Sequence, residues 1–201
     1  ASTAAVLNLA SAMVPTREQA YALLTKHTKS PHLVKHALCV EAAMGFYARL
    51  HGGTPETWAL AGLLHDFDYE EHPSLEEHPF VGANILRSLE YPDEVIAAIL
   101  GHSEHTGVRR ETDMAKALYA VDELTGFVVA CALVRPTRSL LDLPLKSIMK
   151  KFKDKAFCRA IDREHLRTAA EEIDVPFPDH VANVLSALQG IASELGLAGA
   201  E

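Results

Sequence analysis

The chain has 201 residues, 48% of them hydrophobic and 23% charged, and a net charge of −8. That length suits one domain with a continuous core, and the balance is that of a globular protein, not a disordered or fibrous one. The negative charge excludes a general polyanion binder: the whole molecule repels nucleic acid and anionic membranes, so an anionic substrate needs a local positive site.

Ala1 to Pro15 carries no Lys or Arg, so it lacks the positive start of a secretory signal, and no apolar run reaches the length of a membrane span. Cys39, Cys131 and Cys158 are odd in number and far apart, which suggests neither a disulfide framework nor a zinc ribbon. A cytoplasmic location is expected. Thr16, with Gln19 three residues on, opens a helix to about Lys29. Ser30-Pro31 opens a second, to about Leu50, which His51-Gly52-Gly53 stops. Thr54-Pro55-Glu56 opens a third, whose interior Trp58 to Leu64 is apolar nearly all round and belongs in the middle of a core. Phe67 to Glu77 is acidic, contains Pro73 and reads as a loop.

Helices are then expected at about 78–90, 93–105, 112–134, 144–153 and 162–173. A final amphipathic helix follows Pro178, carrying Val181, Val184, Leu185, Leu188, Ile191 and Leu195. Its apolar face can pack internally or against a second copy, which leaves a homodimer open. No window shows the alternation of a strand. The expected fold is all-α, a single-domain bundle of about eight or nine helices. It comprises an arm over 1–15, a core over 16–135 and C-terminal helices over 136–201 packed on the same domain.

Several histidines and carboxylates stand where apolar residues belong. His65-Asp66 ends the most hydrophobic helix, where an ionised carboxylate without a partner is expensive. A divalent metal removes the difficulty, since imidazole and carboxylate both ligate first-row ions; the plain alternative is a helix C-cap. His36 lies on the core side of the second helix, a place where a histidine can simply be a satisfied core residue. Asp122 sits on the apolar stripe of Ala115 to Leu124 and needs a counter-charge or strong donors. Glu123 points elsewhere, toward solvent.

The order His36, His65-Asp66, Asp122 on consecutive helices resembles the HD superfamily of metal-dependent phosphohydrolases. The stretches Leu63 to Tyr69 and Tyr119 to Gly126 look like those of its small bacterial HDIG-type proteins. The resemblance covers about residues 16–135. It implies that His36, His65, Asp66 and Asp122 bind one metal, that His78 and His102 hold a second, and that Asp66 bridges the two. Ser103 stands where relatives with adjacent histidines carry one; Glu104 and His105 follow it and could supply an outer-shell contact or nothing.

On this reading one or two divalent ions (Mn, Fe, Co, Ni, Zn or Mg) activate water for attack on a small phosphorylated substrate, with Asp66 and His65 as the catalytic pair. Asp68, Glu70 and Glu71 fall where a general acid could sit, or form a solvated acidic loop. Lys146, Lys150 and Lys153 share one helical face and, with Arg135, form a candidate phosphate-attracting cluster, or a solvated face balanced by acids. Tyr21, Phe46, Tyr47 and Trp58 fall at core spacing, Cys39 reads as a buried structural thiol, and His27, His32, His51, His72, His165 and His180 are expected to be exposed. The same ligand set also serves mixed-valent di-iron oxygenases in a minority of HD-fold proteins, and a third reading is a non-catalytic nucleotide-binding regulatory module.

Overall fold

The computed structural model describes residues 14–199, so all but the last two residues of the arm expected over 1–15 lie outside it. Thr16 caps α1 (Arg17–His27) through the expected capping box: its hydroxyl accepts from the Gln19 N–H, and the Gln19 side chain accepts from the Thr16 N–H. Pro31 opens α2 (Pro31–His51), where its missing N–H would be unpaired anyway. Gly52 ends α2 at a φ of 72°, a left-handed conformation open to a residue without Cβ. The chain continues through α3 (Pro55–Leu64), α4 (Phe80–Ser88), α5 (Asp93–Gly101), a 3-10 turn at Glu104–Thr106 and α6 (Asp113–Leu133). It closes with α7 (Leu145–Lys153), α8 (Arg163–Glu172), α9 (Phe177–Gln189) and α10 (Ala192–Leu195).

Ten helices and no strand form the described residues, against the eight or nine expected. The extra one arises because the final helix divides: Ile191, at φ −120° and ψ 17°, leaves the helical region and α10 restarts as a separate turn. The fifth helix is also shorter than expected, ending at Gly101 with His102 as its cap. No helix among the described residues is long and apolar enough to cross a membrane.

The centre of the molecule is α3, in contact with α1, α2, α5 and α6. Its closest approach is to α2 at Gly62, where a Cβ would lie 2.7 Å from the Val40 carbonyl oxygen and 2.9 Å from the Glu41 Cα. The second axis is α6, most of whose residues are buried; α8 and α9 pack on it, and α9 also reaches α2. Trp58 and Tyr47 are buried as expected, whereas Tyr21 is 37% exposed because α1 lies at the edge and turns that face outward.

His180 overturns its expected exposure. It is fully buried where α9 crosses α2 and α6, donating from Nε2 to the Ala120 carbonyl at 2.9 Å and accepting at Nδ1 from the Tyr47 hydroxyl. Burial depresses its pKa from 6.5 to about 4. A histidine held neutral by the fold takes up its proton only on unfolding within that window, so stability is intact above pH 6.5 and falls as pH drops toward 4. The loss amounts to about 3 kcal/mol. Urea melts of wild type and His180→Gln at pH 7 and pH 4.5 check this: the wild type should lose that increment on acidification and the variant should not. Equal losses would show that His180 is not the sensitive group.

Candidate metal centre

Five segments deliver side chains to one point. The α2 helix presents His36, the end of α3 presents His65 and Asp66, and the segment before α4 presents His78. His102 caps α5, and Asp122 projects from α6. His36 Nε2 lies 3.0 Å from Asp122 Oδ1, 3.2 Å from His65 Nε2 and 3.8 Å from Asp66 Oδ2. His65 Nε2 lies 3.4 Å from Asp66 Oδ2 and 3.3 Å from Asp122 Oδ1. The other oxygen of Asp66, Oδ1, faces His78 Nε2 at 3.2 Å and His102 Nε2 at 3.3 Å. Each set could hold a metal ion, and Asp66 belongs to both.

These donor sets fit a cation on two grounds. Ligand atoms about 2.1 Å from a shared ion would be separated by about 3.0 Å in octahedral and about 3.4 Å in tetrahedral arrangement, the range of every pair here except His36 and Asp66 at 3.8 Å. The ring tautomers also agree: His65 Nδ1 donates to the Gly62 carbonyl at 2.8 Å, His102 Nδ1 to the Ile99 carbonyl, and His78 Nδ1 to Asp68 Oδ1 at 2.8 Å. Each bond leaves Nε2 with a bare lone pair aimed at the cluster. Lone pairs and carboxylate oxygens this close repel one another unless something positive lies among them.

The electrostatics express the same demand. Burial works against a charged His65, yet the carboxylates of Asp66 and Asp122 overcome it and raise its pKa well above the usual value. Burial likewise opposes ionisation of Asp66, and His65, His102 and His78 reverse it, holding the carboxyl well below its normal range. Asp122 is lowered in the same way, against its own burial, by His65 and His36. His78 rises to about 9, its burial outweighed by hydrogen bonds to Asp66 and Asp68.

The cluster is closed below and open above. His65 is wholly buried, while the side chains of His36, Asp66 and Asp122 keep 20%, 24% and 19% exposure, enough to admit a small molecule. A groove of about 400 Å³ runs from His36 between α2, α6 and the C-terminal segment.

Not every candidate converges. Lys150, Lys153 and Arg135 line a different cleft, with Cys131, Val134 and Asp154, beyond the end of α6. Leu133, which ends that helix, lies about 16 Å along it from Asp122. Lys146 is exposed on α7, and Arg135 is drawn to Asp142, with Nε 3.4 Å from Oδ1. The structure therefore does not bring the lysine face to the cluster, because the helix carrying it packs on α6 and α9 at the far end. The Glu70 carboxylate accepts from the Lys29 and Ser30 N–H groups at the start of α2, and Glu71 pairs with His27. Cys39 is buried as expected, and burial pushes its thiol up to about 12, an inert state.

One reading of the acidic loop needs correction. Asp68 is 1% exposed, not solvated: Oδ1 accepts from His78, and Oδ2 accepts from the Gly82 N–H at 2.7 Å. Only a glycine leaves room, since a Cβ at 82 would lie 2.8 Å from Oδ2. No periodicity links positions 68 and 82 across a loop, so the pairing had no signature. His105 donates from Nε2 to the His78 carbonyl at 2.8 Å, whereas Glu104 accepts from Tyr119 Oη, away from the cluster. Ser103 Oγ stands 3.2 Å from His102 Nε2. His32, exposed as expected, and Lys35, which the sequence did not single out, stand on the groove wall; His32, one turn before His36, shares its helical face.

Residues 33–126 match the family model described as the HD domain. Over that stretch, just under half of the chain, it is similar to the HD domain. No curated protein and no solved structure matches it. All six clustered residues lie inside the matched segment, and the HD domain is typical of metal-dependent hydrolases.

Asp68→Asn tests the support of His78. One oxygen becomes an NH2 that cannot accept, so either His78 or Gly82 loses its partner. Affinity of the His78/His102 set for Co(II), followed by absorption in a titration of metal-free protein, should fall about 10- to 100-fold. An unchanged titration would count against the role given to Asp68.

Proposed function

We propose that this protein is a metal-dependent phosphohydrolase acting on a small phosphorylated metabolite. The observation that carries the reading is the division of Asp66: one oxygen faces His36 and His65, the other His78 and His102. A carboxylate shared in this way suits two adjacent cation sites, with His36, His65, Asp66 and Asp122 holding one and Asp66, His78 and His102 the other. Divalent ions there would supply a water deprotonated near neutral pH and offset charge on a phosphoryl group.

The chain's own contribution is positioning. The Gly62, Ile99 and Asp68 acceptors lock three imidazoles in one tautomer, so the donor atoms need no rearrangement when a substrate arrives. Asp66 and Asp122 keep their negative charge at every physiological pH, because the imidazoles beside them lower their pKa values. The buried floor formed by His65, His78 and Asp68 keeps bulk water to the exposed side.

The test is elemental analysis of the purified protein followed by a screen of phosphate esters with Mn, Mg and Co. Phosphate release lost on chelation and restored by metal supports the reading. Oxygen consumption coupled to substrate loss, with about two irons per chain, would replace it with oxygenase chemistry. Ligand-induced stabilisation without product above a metal-stripped control would replace it with a regulatory module.

A further inference from the structure

The groove beside His36 has a composition that selects among phosphate esters. On α6 its wall is Thr125, Gly126, Val129, Ala130 and Leu133, a stripe at helical spacing that starts one turn past Asp122 and runs about 12 Å along the axis. Cys39 on α2 and Leu195 and Leu197 of the C-terminal segment face it. The polar side chains on the described lining are His32, Lys35, His36 and Thr125, and Thr125 already donates to the Asp122 carbonyl at 2.7 Å. His32 and Lys35 are exposed and share the α2 wall with His36. No described lining residue is an Asn, Gln, Asp, Glu or Arg.

A nucleobase or sugar buried along the α6 wall would find Thr125, already committed to Asp122, as its one polar side chain and leave other donors and acceptors unpaired, which binding sites penalise. An aliphatic chain has none to lose. At roughly 30 Å³ per water-sized group, the space admits a chain of about ten carbons. Gly126 keeps it open, since a Cβ there would meet nothing within 4 Å.

We propose that the groove binds the leaving group of a phosphomonoester of an aliphatic alcohol, with Lys35 and His32 drawing in the anionic head beside His36. This rests on the phosphohydrolase reading for its chemistry but not for its binding, so the two are tested separately. In the binding arm, metal-free protein is melted with octyl phosphate, AMP or inorganic phosphate. Octyl phosphate should raise the Tm by several degrees, AMP and phosphate by much less, and Gly126→Leu, which places a side chain in the groove, should remove the difference.

In the activity arm, kcat/KM is measured from ethyl to octyl phosphate. It should rise about fourfold per methylene, the equivalent of about 0.8 kcal/mol, until the groove is full. The octyl-to-ethyl ratio should exceed about 100 in wild type and collapse toward one in Gly126→Leu. Val129→Trp is a second blocking variant should the first fail to fold. If no ester is turned over, the hydrolase reading falls, and selective stabilisation by octyl phosphate still upholds the groove. Equal stabilisation by AMP, or a flat chain-length series, overturns it.

Discussion

Asp66→Asn is expected to leave a folded protein with at least about 10³-fold lower phosphate release, a loss of about 4 kcal/mol of transition-state stabilisation. The reason is geometric. Both oxygens are committed, each 3.2 to 3.8 Å from two imidazole nitrogens, so an amide must turn its NH2 toward one pair. That set then loses a negative ligand and gains a donor where a cation would sit. Metal content should fall with activity, to one ion per chain or fewer. Circular dichroism should stay unchanged, because Asp66 keeps 24% side-chain exposure and packs into no core. A variant with full metal and full turnover would refute the bridging role.

Gly62→Val should destabilise the protein by at least about 3 kcal/mol, seen as a Tm lower by roughly 10 °C. A Cβ at 62 meets main-chain atoms of Val40 and Glu41 at 2.7 to 2.9 Å. Backbone of a packed helix cannot step aside as a flexible side chain can. Helices α2 and α3 must separate, and the Gly62 carbonyl that fixes the His65 tautomer moves with them. Metal affinity should therefore drop alongside stability. Gly126→Ala is the control, a helical glycine with open space around its Cβ; it should be neutral or gain up to about 1 kcal/mol. Matching losses in both variants would point to a general intolerance of α-helical substitution.

The local signals were the legible ones. Capping residues and prolines acted within a few positions of their targets, so the starts of α1, α2 and α3 stood in the sequence at Thr16, Pro31 and Pro55. The fold class followed from unbroken helical periodicity. The cluster was visible in outline because charged residues on apolar stripes, at His65-Asp66 and Asp122, break a pattern that burial otherwise enforces. Family resemblance then supplied His78 and His102.

What the sequence by itself determined was the fold class, where several of the helices start and the residues that cannot be buried alone. Only the tertiary structure decided which of those residues meet. Asp68 reached His78 and Gly82, His180 reached Tyr47 and Ala120, and the lysine face of α7 landed beyond the far end of α6. The physical reason is that periodicity specifies a face, while the partner of that face depends on how helices dozens of residues apart pack around Gly62 and its neighbours.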